Sequence, residues 1–286
     1  MFGGDLPDIY QSTEVYFPDK TGDNYVATPM LEGRTGAVAG NIYGNVVVAG
    51  GFDPFAGKVL KSSERYITPR SVWVKGPNMN EPRRYAASAV VGRSMYVCGG
   101  DTGSNQSTYV GTKTCERLDY GSQKWVTVAP MQQARTRAAA ASLNGFLYII
   151  GGFSGRQELS SMERYSAATN QWAGVAPMRH ARSGLAAAEA NGFLFACGGV
   201  EALWTYLNSC ERYDPNRNRW EEVAVMDRGR SNFALVNYNN KLYSFGGCCW
   251  YGFSRTPAQV YDPVTNVWLP IPVLIRDRSS FAALSY

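Results

Sequence analysis

The sequence has a single histidine, His180, in 286 residues. Imidazole carries most metal sites and most acid–base chemistry near neutral pH, so its scarcity argues against both. Long apolar runs are also missing, and none approaches the roughly 20 residues that a helix needs to cross a bilayer. The N-terminus, Met1-Phe2-Gly3-Gly4-Asp5, lacks a basic segment followed by an apolar one. No secretory signal is therefore visible, and a cytoplasmic location is expected. Charged residues make up only 18%, and a net charge of +5 is too small and too scattered to predict nucleic-acid binding. Six cysteines are present, none in a CxxC pair. Cys98 and Cys197 close apolar runs, Cys115 and Cys210 hold a second equivalent pair of positions, and Cys248-Cys249 is a vicinal pair in a loop. They read as reduced, mostly structural thiols of a reducing compartment, with redox sensing at Cys248 or Cys249 as the alternative.

What the chain has in plenty is glycine, 30 residues, beside 18 tyrosines and 7 tryptophans. These are the materials of many short strands joined by turns. Gly-Gly doublets stand at 3–4, 50–51, 99–100, 151–152, 198–199 and 246–247, at intervals of 47, 49, 52, 47 and 48 residues. Sixteen residues before each of the last five doublets is an arginine, Arg34, Arg83, Arg135, Arg182 or Arg230, and Arg278 falls in phase near the C-terminus. A third marker follows each doublet. It is a strand such as Ser63-Glu64-Arg65-Tyr66, Met162-Glu163-Arg164-Tyr165 or Cys210-Glu211-Arg212-Tyr213, leading to Trp73, Trp172 or Trp220. The copy at Cys115-Glu116-Arg117-Leu118 leads to Trp125, and the last, Gln259-Val260-Tyr261, replaces the glutamate before Trp268. Such periodicity decides the fold before any local detail.

Each unit decodes into four short strands. A small-residue strand follows the arginine, as in Ala138-Ala139-Ala140-Ala141, and an apolar strand such as Phe146-Leu147-Tyr148-Ile149-Ile150 ends at the doublet. The glutamate-bearing strand is third, and the fourth begins at tryptophan. Turn formers such as Asn191-Gly192, Asp214-Pro215 and Asp262-Pro263 separate them, which argues antiparallel sheet. One such unit cannot bury both faces alone, and radial stacking into a propeller solves that problem. The expectation is an all-β, six-bladed propeller occupying residues 1–286 as one domain. The first copy lacks its small-residue strand, and residues about 278–286 supply one, so the tail is expected to complete the first blade and close the ring. A chain that opens partway through a strand also fits a domain belonging to a longer protein.

The Gly-Gly doublet, the glutamate-and-tyrosine strand and the tryptophan at fixed offset resemble the kelch repeat, over the whole chain. Six copies with a closing C-terminal strand further resemble the kelch-like proteins, whose full-length forms usually carry BTB and BACK domains. That resemblance implies a propeller that recruits a substrate protein or degron peptide, with cullin-3 bound through a BTB domain absent from this chain. A cytoskeletal, actin-binding kelch protein is the alternative on the same fold. A galactose-oxidase-like copper site would need paired imidazoles, which His180 alone does not supply, so no enzyme activity, no cofactor and no metal are expected. Neither nucleic acid nor membrane is an expected partner.

The resemblance places partner binding at the mouth of the central channel, on the loops after each doublet and on the residues behind each phased arginine. The second group supplies Arg84, Tyr85, Arg137, Ser183, Ser231, Asn232 and Ser279. The loops supply Tyr10, Phe52, Phe153, Trp204 and the cluster Trp250, Tyr251 and Phe253. Arginine and aromatics ringed by hydroxyls make up the composition of a recognition hot spot displayed on a rigid scaffold. The phased arginines recur in every copy and read as framework, ion-paired with repeat glutamates such as Glu64 or Glu163. Arg84, Arg137, Arg156 and Arg255 favour an acidic ligand, but Asp5, Asp8, Asp53, Asp101, Glu158 and Glu201 leave the face mixed in charge.

Overall fold

The computed structural model describes residues 10–16, 25–103, 111–202, 205–248, 257–271 and 279–285. Five four-stranded antiparallel sheets meander in chain order, here blades A to E. Blade A comprises Val38–Ile42, Asn45–Ala49, Ser63–Ile67 and Val72–Lys75. Blade B comprises Ala87–Val91, Ser94–Cys98, Cys115–Asp119 and Trp125–Val128. Blade C comprises Ala139–Leu143, Phe146–Ile150, Met162–Ser166 and Gln171–Val175. Blade D comprises Ala186–Ala190, Phe193–Cys197, Cys210–Asp214 and Arg219–Val223. Blade E comprises Ala234–Tyr238, Lys241–Phe245, Ala258–Asp262 and Val267–Ile271.

First strands of successive blades lie side by side, which is why alanine dominates them where room is least. Second strands are apolar in runs because both of their faces are covered. Leu147 to Ile150 are all buried. The expectation of six four-stranded blades is corrected to five among the described residues. The first repeat contributes only the pair Thr13–Val15 with Tyr25–Ala27. Its doublet Gly3-Gly4 and the phased Arg278 lie outside the described residues. Between blades E and A runs the C-terminal segment, with Phe281 packed on Ala234, Phe245 and Ala258 and Ala282 packed on Val46, Val48 and Trp73.

The three repeat markers lock the blades to one another. Each of the five phased arginines from Arg34 to Arg230 is buried and donates to the carbonyl of its own blade's doublet, as Arg83 Nη1 does to Gly99 O at 2.9 Å. The second glycine donates to the backbone of the next arginine, Gly51 to Arg83 O at 2.7 Å and Gly100 to Arg135 O at 2.9 Å. Gly50 and Gly51 sit at φ of 64° and 95°, and a Cβ on Gly50 would lie 2.4 Å from Arg83 O. Only glycine fits that approach. The arginines also pair with the repeat glutamates, Arg34–Glu64 at 2.7 Å, Arg135–Glu163 at 2.9 Å and Arg182–Glu211 at 2.8 Å.

In blades C, D and E the turn asparagines Asn170, Asn218 and Asn266 bind twice through Oδ1. They accept the hydroxyls of Tyr165, Tyr213 and Tyr261, each at 2.8 Å, and the N–H of Ala129, Ala176 and Ala224 in the preceding repeat. Burial raises all three phenols above their ordinary 10.0. A raised folded-state value contributes stability that is complete below pH 10 and is lost as pH rises through the folded values. The melting temperature is therefore expected to hold up to about pH 10 and then to fall as these rings ionise. Tyrosinate absorbance followed beside circular dichroism checks this, and ionisation of all tyrosines before any loss of structure would contradict it.

The expectation of reduced thiols is overturned. Cys98–Cys115 and Cys197–Cys210 are disulfides, and Cys248 is a free, half-buried thiol. In an antiparallel pair the end of one strand faces the start of the next. The register accordingly sets Cys98 opposite Cys115 in blade B and Cys197 opposite Cys210 in blade D. Neither bond joins two blades. Closing loops of 17 and 13 residues, each bond is expected to contribute about 3 kcal/mol. Intact mass with and without reductant counts the bonds, and the Cys98→Ala/Cys115→Ala and Cys197→Ala/Cys210→Ala variants should each melt lower in denaturant.

Candidate functional site

An antiparallel meander puts its 2–3 loop and its link to the next blade at the same end. The post-doublet loops and the segments behind the phased arginines therefore share one face. At its centre is a closed ring of backbone hydrogen bonds. Tyr85 donates to Gly36, Arg137 to Tyr85, Gly184 to Arg137, Asn232 to Gly184, Ser280 to Asn232 and Gly36 to Ser280, over 2.7–2.9 Å. All six residues have positive φ, between 51° and 64°. The backbone is thus the same at six positions while the side chains differ: glycine, tyrosine, arginine, glycine, asparagine and serine. They line a recess together with the residues that follow them, Ala37, Ala86, Ala138, Leu185, Phe233 and Phe281.

Within the ring the Tyr85 side chain lies over Gly36, where a Cβ would come within 2.8 Å of it. The Arg137 guanidinium in turn lies 5.1 Å from the Tyr85 ring centroid. This geometry gives a planar cation backed by an aromatic face at the mouth.

One residue outward, Thr35, Arg84, Thr136, Ser183 and Ser231 form single bridges with the residues just after the doublets, Phe52, Asp101, Phe153, Val200 and Cys248. The two groups proposed from sequence are therefore brought together. Short hairpins rise from these points, Phe52–Asp53 with Lys58–Val59 and Val200–Glu201 with Thr205–Tyr206.

Three assignments need correction. Ser183, Ser231 and Ser279 are only 5%, 2% and 3% exposed, so they belong to the frame beneath the ring and offer no open hydroxyl to a partner. Arg84 is held by Asp101, Nη2 to Oδ2 at 2.7 Å, and lies 5.3 Å from the Phe52 ring. Its charge is thus neutralised within the protein, which weakens the argument for an acidic ligand. Tyr10 meets the 74% exposed Phe55 edge to face at 5.6 Å, and Phe153 is half-buried. Phe55, an aromatic that the sequence also places on the loop after the Gly50-Gly51 doublet, is the more exposed apolar target there. Trp204, Trp250, Tyr251, Phe253 and Arg255 lie outside the described residues.

His180 sits between carboxylates, 3.8 Å from Glu201 and 3.7 Å from Glu222. Among the described residues no group of three or more His, Cys, Asp or Glu is placed to hold a metal ion. No described helix is long and apolar enough to cross a membrane.

The family model described as "KLHDC2/KLHL20/DRC7 Kelch-repeats domain" matches residues 36–247, and the "Kelch motif" model matches residues 229–272. The chain belongs to the kelch-repeat family. Among its relatives, the "Kelch repeat and BTB domain-containing protein F47D12.7" of Caenorhabditis elegans is 34% identical over 116 residues, 39% of this chain and 19% of that protein. "Kelch-like protein 13" of Homo sapiens is 30% identical over 105 residues, covering 37% and 16%. "Kelch-like protein 36" of Rattus norvegicus is 32% identical over 152 residues, covering 50% and 23%. The chain thus spans about a fifth of the length of the curated relatives it matches. A solved structure titled "Structure of YjhT" superposes with a TM-score of 0.76 over 88% of this chain and 89% of the other, at 17% identity. That likeness shows the fold alone. A kelch propeller with kelch-like relatives is a protein-interaction module, and the same likeness points away from enzyme activity.

Proposed function

We propose that the ring mouth and the hairpins around it bind a substrate protein or degron peptide, as the recognition domain of a BTB-kelch adaptor of a cullin-3 ubiquitin ligase. The observation that carries the reading is the contrast within the ring. A repeated backbone serves as framework, and the four different side chains on it, with two glycines between them, serve as the reading surface. A relative named for a BTB domain supports the adaptor context. In this reading Tyr85, Arg137 and Asn232 touch the ligand, flanked by Phe52, Phe153 and the Tyr10–Phe55 pair.

Arg137→Ala is expected to weaken binding of the captured partner by about 2 kcal/mol, roughly thirtyfold, and to leave the melting temperature unchanged. Arg137 already occupies a left-handed conformation at φ 54°, so another non-glycine residue there adds no new backbone strain. The experiment is co-purification from cells with the full-length protein, wild type beside Arg137→Ala and Tyr85→Ala. Cullin-3 should be recovered with all three and the substrate with the wild type only. Recovery of filaments without cullin-3 would replace the adaptor reading with a cytoskeletal one.

A further inference from the structure

The face opposite the ring mouth carries the 1–2 and 3–4 turns of each blade, and one place on it breaks the repeat. Tyr43 stands in the first turn of blade A, Arg93 in the first turn of blade B and Tyr120 in the second turn of blade B. The Arg93 guanidinium lies 5.2 Å from the Tyr43 ring centroid and 5.0 Å from that of Tyr120, and the two rings are 5.8 Å apart at 60°. Both rings face water, Tyr43 at 63% exposure and Tyr120 at 44%.

The backbone makes this cluster unusual. Blades C, D and E place Asn144, Asn191 and Asn239 at the position of Tyr43, with φ of 50–52°. Asparagine enters the left-handed region readily and a bulky ring does not. Tyr43 nonetheless holds φ 52° there, followed by Gly44 at 81°. Folding gains little burial from that ring, which stays 63% exposed, so a strained residue is kept where backbone preference favours asparagine.

Charge gives the second half of the argument. Among the described residues Arg93 forms no ion pair with a carboxylate, while the nearby Asp119 is engaged through Oδ1 by Arg117 at 2.9 Å and by Ser94 Oγ at 2.6 Å. Stacking uses the flat faces of the guanidinium and leaves its N–H edge to a carboxylate, which it can bind bidentately. A single stacked arginine suits a carboxylate better than the multiply charged phosphates that recruit arginine clusters.

We propose that Tyr43, Arg93 and Tyr120 form a second binding site, on the face away from the ring mouth, for an acidic protein segment. Its aspartate or glutamate docks on Arg93, and a neighbouring apolar side chain packs on the tyrosine rings. This site is independent of any function of the mouth.

The test uses this chain, isotope-labelled, titrated with a capped peptide of alternating aspartate and phenylalanine and followed at the backbone amide signals of residues 43, 44 and 120, which every variant retains. Saturable binding is expected, at least tenfold weaker for the same peptide with asparagine in place of aspartate. Arg93→Ala and Tyr43→Asn should each weaken it about tenfold. Tyr43→Asn should also melt no lower than wild type, since it installs the turn residue used by the other blades, which separates loss of a site from loss of fold. No binding to the wild-type chain, or equal binding by both variants, would overturn the proposal. Inorganic phosphate binding as tightly as the peptide would overturn the assignment to an acidic protein segment.

Discussion

Glu211→Ala should cost about 3–5 kcal/mol of folding stability, among the largest effects of any single substitution here. Arg182 and Glu211 are both 0% exposed at the side chain and meet at 2.8 Å. Burial pulls the Arg182 guanidinium below its ordinary range, and Glu211 opposes that pull. Removing the carboxylate leaves a buried cation with only neutral acceptors, Gly198 O at 2.9 Å, Ser209 O at 3.0 Å and Ser209 Oγ at 3.2 Å. It also orphans two backbone donors, because Glu211 accepts the N–H groups of Arg179 at 2.7 Å and His180 at 3.2 Å in the link from blade C. Glu211→Gln should cost less, since blade E already works that way. There Gln259 meets Arg230 at 3.5 Å, and Asp227 supplies the charge at 3.1 Å. Urea unfolding of the three proteins decides the matter, and a loss below about 1 kcal/mol for Glu211→Ala would remove the pair from the framework.

That network explains what could be read from the sequence. The interval from arginine to doublet is the same in every copy because one guanidinium reaches one carbonyl, as Arg34 Nη1 does to Gly50 O at 2.8 Å. Gln259 was visible as a departure, but that Asp227 supplies the charge on Arg230 in its place needed the fold. The disulfides were within reach. Each cysteine pair flanks the two ends of a single hairpin, one residue before the doublet and one before the glutamate, which antiparallel register brings face to face. Reading Cys98 and Cys197 as small hydrophobes, apart from the second pair Cys115 and Cys210, hid this.

At the site, the two sets of ring residues were legible because both flank repeat markers. The burial of Ser183, Ser231 and Ser279 was not. A hydroxyl beside a framework arginine reads as surface, whereas bridges to Val200 and Cys248 tuck two of these residues under the loops. The neutralisation of Arg84 depends on a loop that returns Asp101 to it, and only the fold reports that return. The blade count fell short because four strands were assigned to the first repeat by analogy with the copies that follow it. Among the described residues that unit shows two regular strands.

Trp220→Ala is the second large effect, about 3–5 kcal/mol, and the loss should concentrate at the junction of blades C and D. Trp220 is 5% exposed and packs with Tyr148, Ile150 and Met162 of blade C. Its indole N–H donates to Ala176 O at 2.9 Å, while Asn218 Oδ1 accepts the N–H of the same Ala176 at 3.0 Å. Blade D therefore holds both polar groups of one residue in the link that follows blade C. Trp172 with Asn170 does the same to Ala129, and Trp268 with Asn266 to Ala224. Two grips on one residue are not independent. With Trp220→Phe, which keeps most of the packing, and Asn218→Ala, the double variant should lose less than the sum of the singles, with a coupling of about 1 kcal/mol. Hydrogen exchange should show the Ala176 amide opening in either single variant while the A–B junction stays closed. Strict additivity would mean that the two side chains act separately and that blades are joined by packing alone.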